Sequence, residues 1–82
     1  LDKQSKLWLA AHGLAQATES QGTPAQALDE FDALAEIAET DWQKVEAQLG
    51  RWRSLARLNR NDEAAEALKA AQAIDPHAGK GK

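Results

Sequence analysis

The stretch from Asn59 to Pro76, NRNDEAAEALKAAQAIDP, sets small and large apolar residues at a spacing that few helices need. Ala64, Ala67, Leu68, Ala71 and Ile74 recur three and four residues apart, the period of one helix face. Asn61 is a candidate cap, Asp62 and Glu63 stand in the first turn where the helix dipole favours negative charge, and Asp75-Pro76 is the stop. Beyond Pro76 the run His77-Ala-Gly-Lys-Gly-Lys offers no apolar anchor and is expected to be a disordered tail over 77–82.

Upstream, the same punctuation recurs. Thr40-Asp41-Trp42-Gln43 and Thr23-Pro24-Ala25-Gln26 each place a Thr cap three residues before a Gln that can reach back to the cap amide. Pro24 suits a first helical position, where its missing N–H is no loss. The helix after Thr23 presents Ala27, Leu28, Phe31, Leu34, Ala35 and Ala38, with Ile37 at the edge, and turns its carboxylates away. The helix after Thr40 carries Trp42, Val45, Leu49, Trp52, Leu55, Ala56 and Leu58 inward and ends around Leu58 to Arg60. Gly50 lies inside it at a cost of about 1 kcal/mol relative to Ala, which a close helix crossing, with crowding near Trp52, would justify. A first helix is expected from near Lys3 to Ser20, capped by Asp2 and stopped by Gly22, with an apolar ridge of Leu7, Ala10, Ala11, Leu14 and Ala17 broadened by Trp8 and Ala15. Residues 1–76 therefore form one all-α domain of four antiparallel helices, arranged as two stacked helical hairpins.

Composition agrees with that fold. Alanine supplies much of the 43% hydrophobic content, aromatics make up 5%, and β-branched residues are scarce. An 82-residue chain is near the size at which one core gives only a small stability margin. Without Cys there is no disulfide framework, no thiolate metal site and no thiol nucleophile. No apolar run approaches the roughly 20 residues that cross a bilayer.

Gly22, Ala27 and Phe31 recur 37 residues later as Asn59, Ala64 and Leu68, and Ile37 recurs as Ile74. With these residues the chain resembles the tetratricopeptide repeat family. In that family a Gly or Asn at a turn is followed by Ala, a large apolar residue, Ala and Pro at the steps seen in Asn59, Ala64, Leu68, Ala71 and Pro76. Leu14-Ala15 stands at the place of the family's Leu-Gly pair, whereas Leu34 and Glu39 occupy positions where the family has Ala and Pro. The resemblance implies a helix-lined groove for a peptide or partner protein, with the first and third helices on its concave side. Two units are fewer than such folds usually stack, so self-association, or capping of a longer array, is expected as well.

The surface candidates follow. Trp8 lies between Leu7 and Leu9, which cannot all face inward together, and is the leading contact residue; His12 is on the same helix. Arg53, Arg57 and Arg60 lie at i, i+4 and i+7 on the third helix. They can be solvated, pair with acids of an adjoining helix, or recognise a partner protein. Together with Arg51 they could instead meet nucleic acid, a reading opposed by the net charge of −3 and the lack of a recognisable binding motif. Trp42 and Trp52 sit on the apolar ridge and are expected in the core, with anchoring of a bound peptide as the alternative.

Asp29, Asp32, Glu36 and Glu39 share one face of the second helix. They read as a solvated face or as a docking surface for a basic partner. A carboxylate di-metal site would use inward-facing acids with a Glu-x-x-His pair, and the sequence has no such pair. His12 and Glu19 are the one acid–base pairing on offer, and neither a nucleophile motif nor a phosphate-cradling Gly-rich loop accompanies them. The sequence thus points to a non-enzymatic protein-interaction or assembly module with no cofactor and no metal. A nucleic-acid-binding helical domain and a purely structural bundle of a larger protein are the alternatives.

Overall fold

The computed structural model describes residues 3–80, with side chains from Lys6 to Lys80. Four helices follow one another: α1 (Lys3–Gln21), α2 (Pro24–Ile37), α3 (Asp41–Arg57) and α4 (Asn61–Ile74). No strand occurs among the described residues. Each helix packs on its neighbours in sequence, and α1 also touches α3, so the chain forms two stacked hairpins, α1–α2 and α3–α4. The starts of α2 and α4, Pro24 and Asn61, are 37 residues apart, as are their ends, Ile37 and Ile74.

Local chemistry explains the boundaries. At Thr23 the side chain accepts from the Gln26 amide at 3.2 Å while the Gln26 side chain accepts from the Thr23 amide, a complete capping box. Thr40 and Gln43 repeat it, and Gln43 Oε1 also accepts from the Glu39 amide at 2.8 Å. The α3–α4 turn is closed by Asn59, whose φ of 62° is left-handed, allowing the Arg60 amide to donate to Leu55 O at 2.9 Å. Asn61 is not the cap of α4: it is the first helical residue, and Arg60 at the cap position makes no side-chain cap bond. Gly22 follows the last residue of α1, as expected of a stop, and does so without positive φ, its amide donating to Thr18 O at 2.7 Å. The suggested cap Asp2 lies outside the described residues.

The core has three parts. Trp8, Ala15, Ala27, Phe31, Leu34 and Ala47 join α1, α2 and α3. Leu28, Leu55, Ala64 and Ala67 join α2, α3 and α4, with Trp52 and Leu58 against them. Val45, Ala71 and Ala78 form the third, with Leu49 alongside. Gly50 does mark a close crossing, but the crowding comes from Phe31 and not from Trp52: a Cβ at Gly50 would overlap Cγ, Cδ1 and Cε1 of the Phe31 ring. That ring is fully buried, which stabilises the α2–α3 contact by roughly 1.5–3 kcal/mol.

Four expectations are corrected by the packing. In α1 the inward face is Trp8, Ala11, His12 and Ala15, whereas Leu7 and Leu14 are 62% and 59% exposed. The helix is apolar over most of its circumference, so periodicity alone does not select the face that α2 covers. Trp42 is 53% exposed and meets the core through edge contacts with the Trp8 and His12 rings. Ile74 is exposed at the end of α4. Finally, the segment after Pro76 folds back in turns, because Ala78 is an apolar anchor: it is buried against Val45 and Ala71, and its carbonyl accepts from Gln72 Nε2 at 3.1 Å. Residues 81 and 82 lie outside the described part.

Candidate functional site

An open cleft of about 710 Å³ lies between the C-terminal parts of α1 and α3, lined by Glu19, Ser20, Trp52, Arg53, Ala56 and Arg57. The spacing of α3 creates one wall: Trp52 and Ala56 are four residues apart on one stripe, and Arg53 and Arg57 run beside them. Trp52 is half-buried, packed against the Leu28 and Leu55 cluster while also bordering the cleft. Glu19 supplies the α1 wall.

Hydrogen bonds order the rim. Arg53 donates from Nε and Nη2 to the two oxygens of Glu19, at 2.5 and 3.1 Å, a fork that ties α3 to α1. The Arg53 guanidinium also lies 5.9 Å from the centre of the Phe31 ring. Arg57 donates from Nη1 to the backbone carbonyl of Glu19 at 3.0 Å and makes no ion pair among the described residues. Its charge therefore faces solvent at the cleft mouth, held in place by a neutral acceptor.

The other arginines are neutralised. Arg51 pairs with Asp32 of α2 at 2.6 Å, and Arg60 forks to Glu63 at 2.7 and 2.8 Å. The hydrogen bond from Arg60 holds the Glu63 carboxyl below its ordinary range, and the bond to Glu63 raises the Arg60 guanidinium above its own. Arg60 faces Asn59, Asn61, Asp62 and Glu63 at the α3–α4 turn, away from the main cleft.

Two sequence candidates do not sit at the surface. Trp8 is 0% exposed, its indole Nε1 donating to Leu34 O at 3.2 Å. An indole N–H needs an acceptor when buried, and the α2 carbonyl provides one. His12 is buried as well, stacked on Trp8 with ring centres 4.8 Å apart, and Nε2 is 3.6 Å from Glu46. Its neighbour is thus Glu46 and not Glu19, which is engaged by Arg53, so the two members of the suggested acid–base pair are held by different partners. Of the five candidate contact residues, only Arg53 and Arg57 line the main cleft. Trp52, Ala56 and Glu19 line it too; the spacing of Trp52 and Ala56 beside two arginines was the available signal.

Among the described residues no group of three His, Asp or Glu side chains is placed to hold a metal ion, and no helix is long and apolar enough to cross a membrane. Comparison of the chain with protein-family models, with curated proteins and with solved structures found no match.

Proposed function

We propose that this chain is a non-catalytic interaction module of tetratricopeptide-repeat-like build, binding an acidic, amphipathic peptide segment of a partner protein in the α1–α3 cleft. The observation that supports this reading is Arg57. It is an exposed guanidinium without a carboxylate partner among the described residues, fixed beside an apolar wall of Trp52 and Ala56. A partner carboxylate would meet an already oriented fork of donors, and an adjacent apolar side chain would cover the exposed part of the indole. Glu19, by occupying Arg53, keeps the second guanidinium in place as a wall.

The same pairing weighs against a nucleic-acid surface. Arg51, Arg53 and Arg60 each have a carboxylate, leaving Arg57 as the unneutralised member of that set among the described residues. One cation in a chain of net charge −3 gives little phosphate affinity.

The test is selection from a random peptide display library on the wild-type chain, followed by binding to Arg57→Glu. Selected peptides are expected to share an Asp or Glu next to a large apolar residue and to lose at least about tenfold in affinity on Arg57→Glu, the effect of about 1.4 kcal/mol. Basic peptides, or peptides indifferent to the substitution, would defeat the reading.

A further inference from the structure

The two flanks of the helix stack are finished differently. On the α3–α4 side the chain covers itself: Ala78 is buried against Val45 and Ala71, and Gly79, with φ of 77°, comes so close to Leu68 that a Cβ there would stand 2.6 Å from its Cδ1. Among the described residues nothing comparable happens on the α1 side. Leu7, Ala10, Gly13, Leu14 and Ala17 are all exposed, and the space around Gly13 is open to 4 Å. By the 37-residue offset between α2 and α4, Ala10 and Gly13 occupy in α1 the places of Ala47 and Gly50 in α3. Those two residues are buried where α3 meets α2, with Gly50 under Phe31. The bare face of α1 therefore matches a face that, one hairpin later, is covered by a helix.

We infer that this face is covered by a second copy of the chain, α1 packing antiparallel on α1 about a twofold axis. The residues are self-complementary in that arrangement: centred near residue 12, it sets Leu7 over Ala17 of the other copy and Leu14 over Ala10, at both ends alike. Gly13 lets the two backbones approach. Lys6, the charged side chain among the described residues of this face, comes to lie by the last turn of the opposing α1, which has no basic residue and carries the negative end of its helix dipole. A 19-residue helix is about 28 Å long and about 10 Å wide with its side chains. Pairing two such faces buries on the order of 1,000 Å² in total, the lower limit for a specific interface, so the dimer is a weak one. Head-to-tail growth is disfavoured because the opposite flank is occupied by the chain's own residues 78 and 79.

Sedimentation of the full chain from about 5 μM to about 1 mM spans the range in which an interface of this size assembles. The expected result is a monomer–dimer equilibrium that Leu14→Lys weakens at least about tenfold while circular dichroism stays helical, since Leu14 makes little of the fold's core. Leu7→Lys and Ala17→Glu, each impaired alone, should associate when mixed, because antiparallel packing brings position 7 of one copy onto position 17 of the other. A strict monomer throughout, a ladder of larger assemblies, or a dimer untouched by Leu14→Lys and Leu7→Lys would each overturn the inference.

Discussion

Gly50 lies beneath the ring of Phe31, so close that no side-chain atom fits between the α3 backbone and the ring. Phe31 is in turn walled by Arg53 of α3 and by the His12 ring of α1, the two ring centres 6.5 Å apart. This contact sets how closely α2 and α3 approach where the two hairpins stack. Gly50→Ala is expected to destabilise the fold by about 1–3 kcal/mol through overpacking, opposite in sign to the gain of about 1 kcal/mol that Ala offers a helix interior. Urea unfolding measures it, and Phe31→Leu in the Gly50→Ala background should recover part of the loss.

Trp8 holds α1 to α2 with a buried ring and one hydrogen bond to Leu34 O. Trp8→Phe keeps most of the ring and leaves that carbonyl without its donor, at a cost of about 1–2 kcal/mol. Trp8→Ala empties the site and should cost about 3–5 kcal/mol. Thermal unfolding followed by circular dichroism separates the two, and near-neutral behaviour of Trp8→Ala would contradict the placement.

Ser54 is 1% exposed, and its hydroxyl has no hydrogen-bond partner among the described residues. Ser54→Ala removes an unsatisfied buried oxygen and improves helix propensity, so stability should rise by about 1 kcal/mol. A loss of stability on denaturant titration would mean that the hydroxyl has a partner.

The Arg60–Glu63 pair sets a pH response with a definite sign. The folded-state pKa of Glu63 is lowered, chiefly by the hydrogen bond from Arg60. Its contribution to stability is therefore present above the ordinary carboxylate range and disappears as pH falls through the lowered folded value. Carbon-detected NMR of the Glu63 carboxyl should give a midpoint below that of an isolated Glu, returning upward in Arg60→Gln.

What the sequence disclosed was the local part. Thr23-Gln26 and Thr40-Gln43 are complete capping boxes because both partners lie three residues apart and need no tertiary contact. The face of α1 was not legible, because Leu7, Leu14 and the inward Trp8 and Ala15 all belong to one broadly apolar helix, and the position of α2 decides among them. Gly50 announced a close approach, but its partner Phe31 is on another helix. For the cleft, Arg53 and Arg57 were readable from their spacing. Trp52 reads from its ridge position first as a core residue, but a half-buried indole serves both core and surface, and only the tertiary arrangement divides it. Ala78 anchors the tail alone, without a pattern to betray it.

The claim that the α1–α3 cleft receives a partner is tested most directly by following the Trp52 indole N–H in a two-dimensional NMR titration with a display-selected acidic peptide. Binding in the cleft requires the Trp52 signal to move with saturation while that of buried Trp8 stays nearly fixed, and requires Arg57→Glu to abolish the change with the helices intact. Saturable binding that leaves Trp52 still, or that persists unchanged in Arg57→Glu, would contradict it.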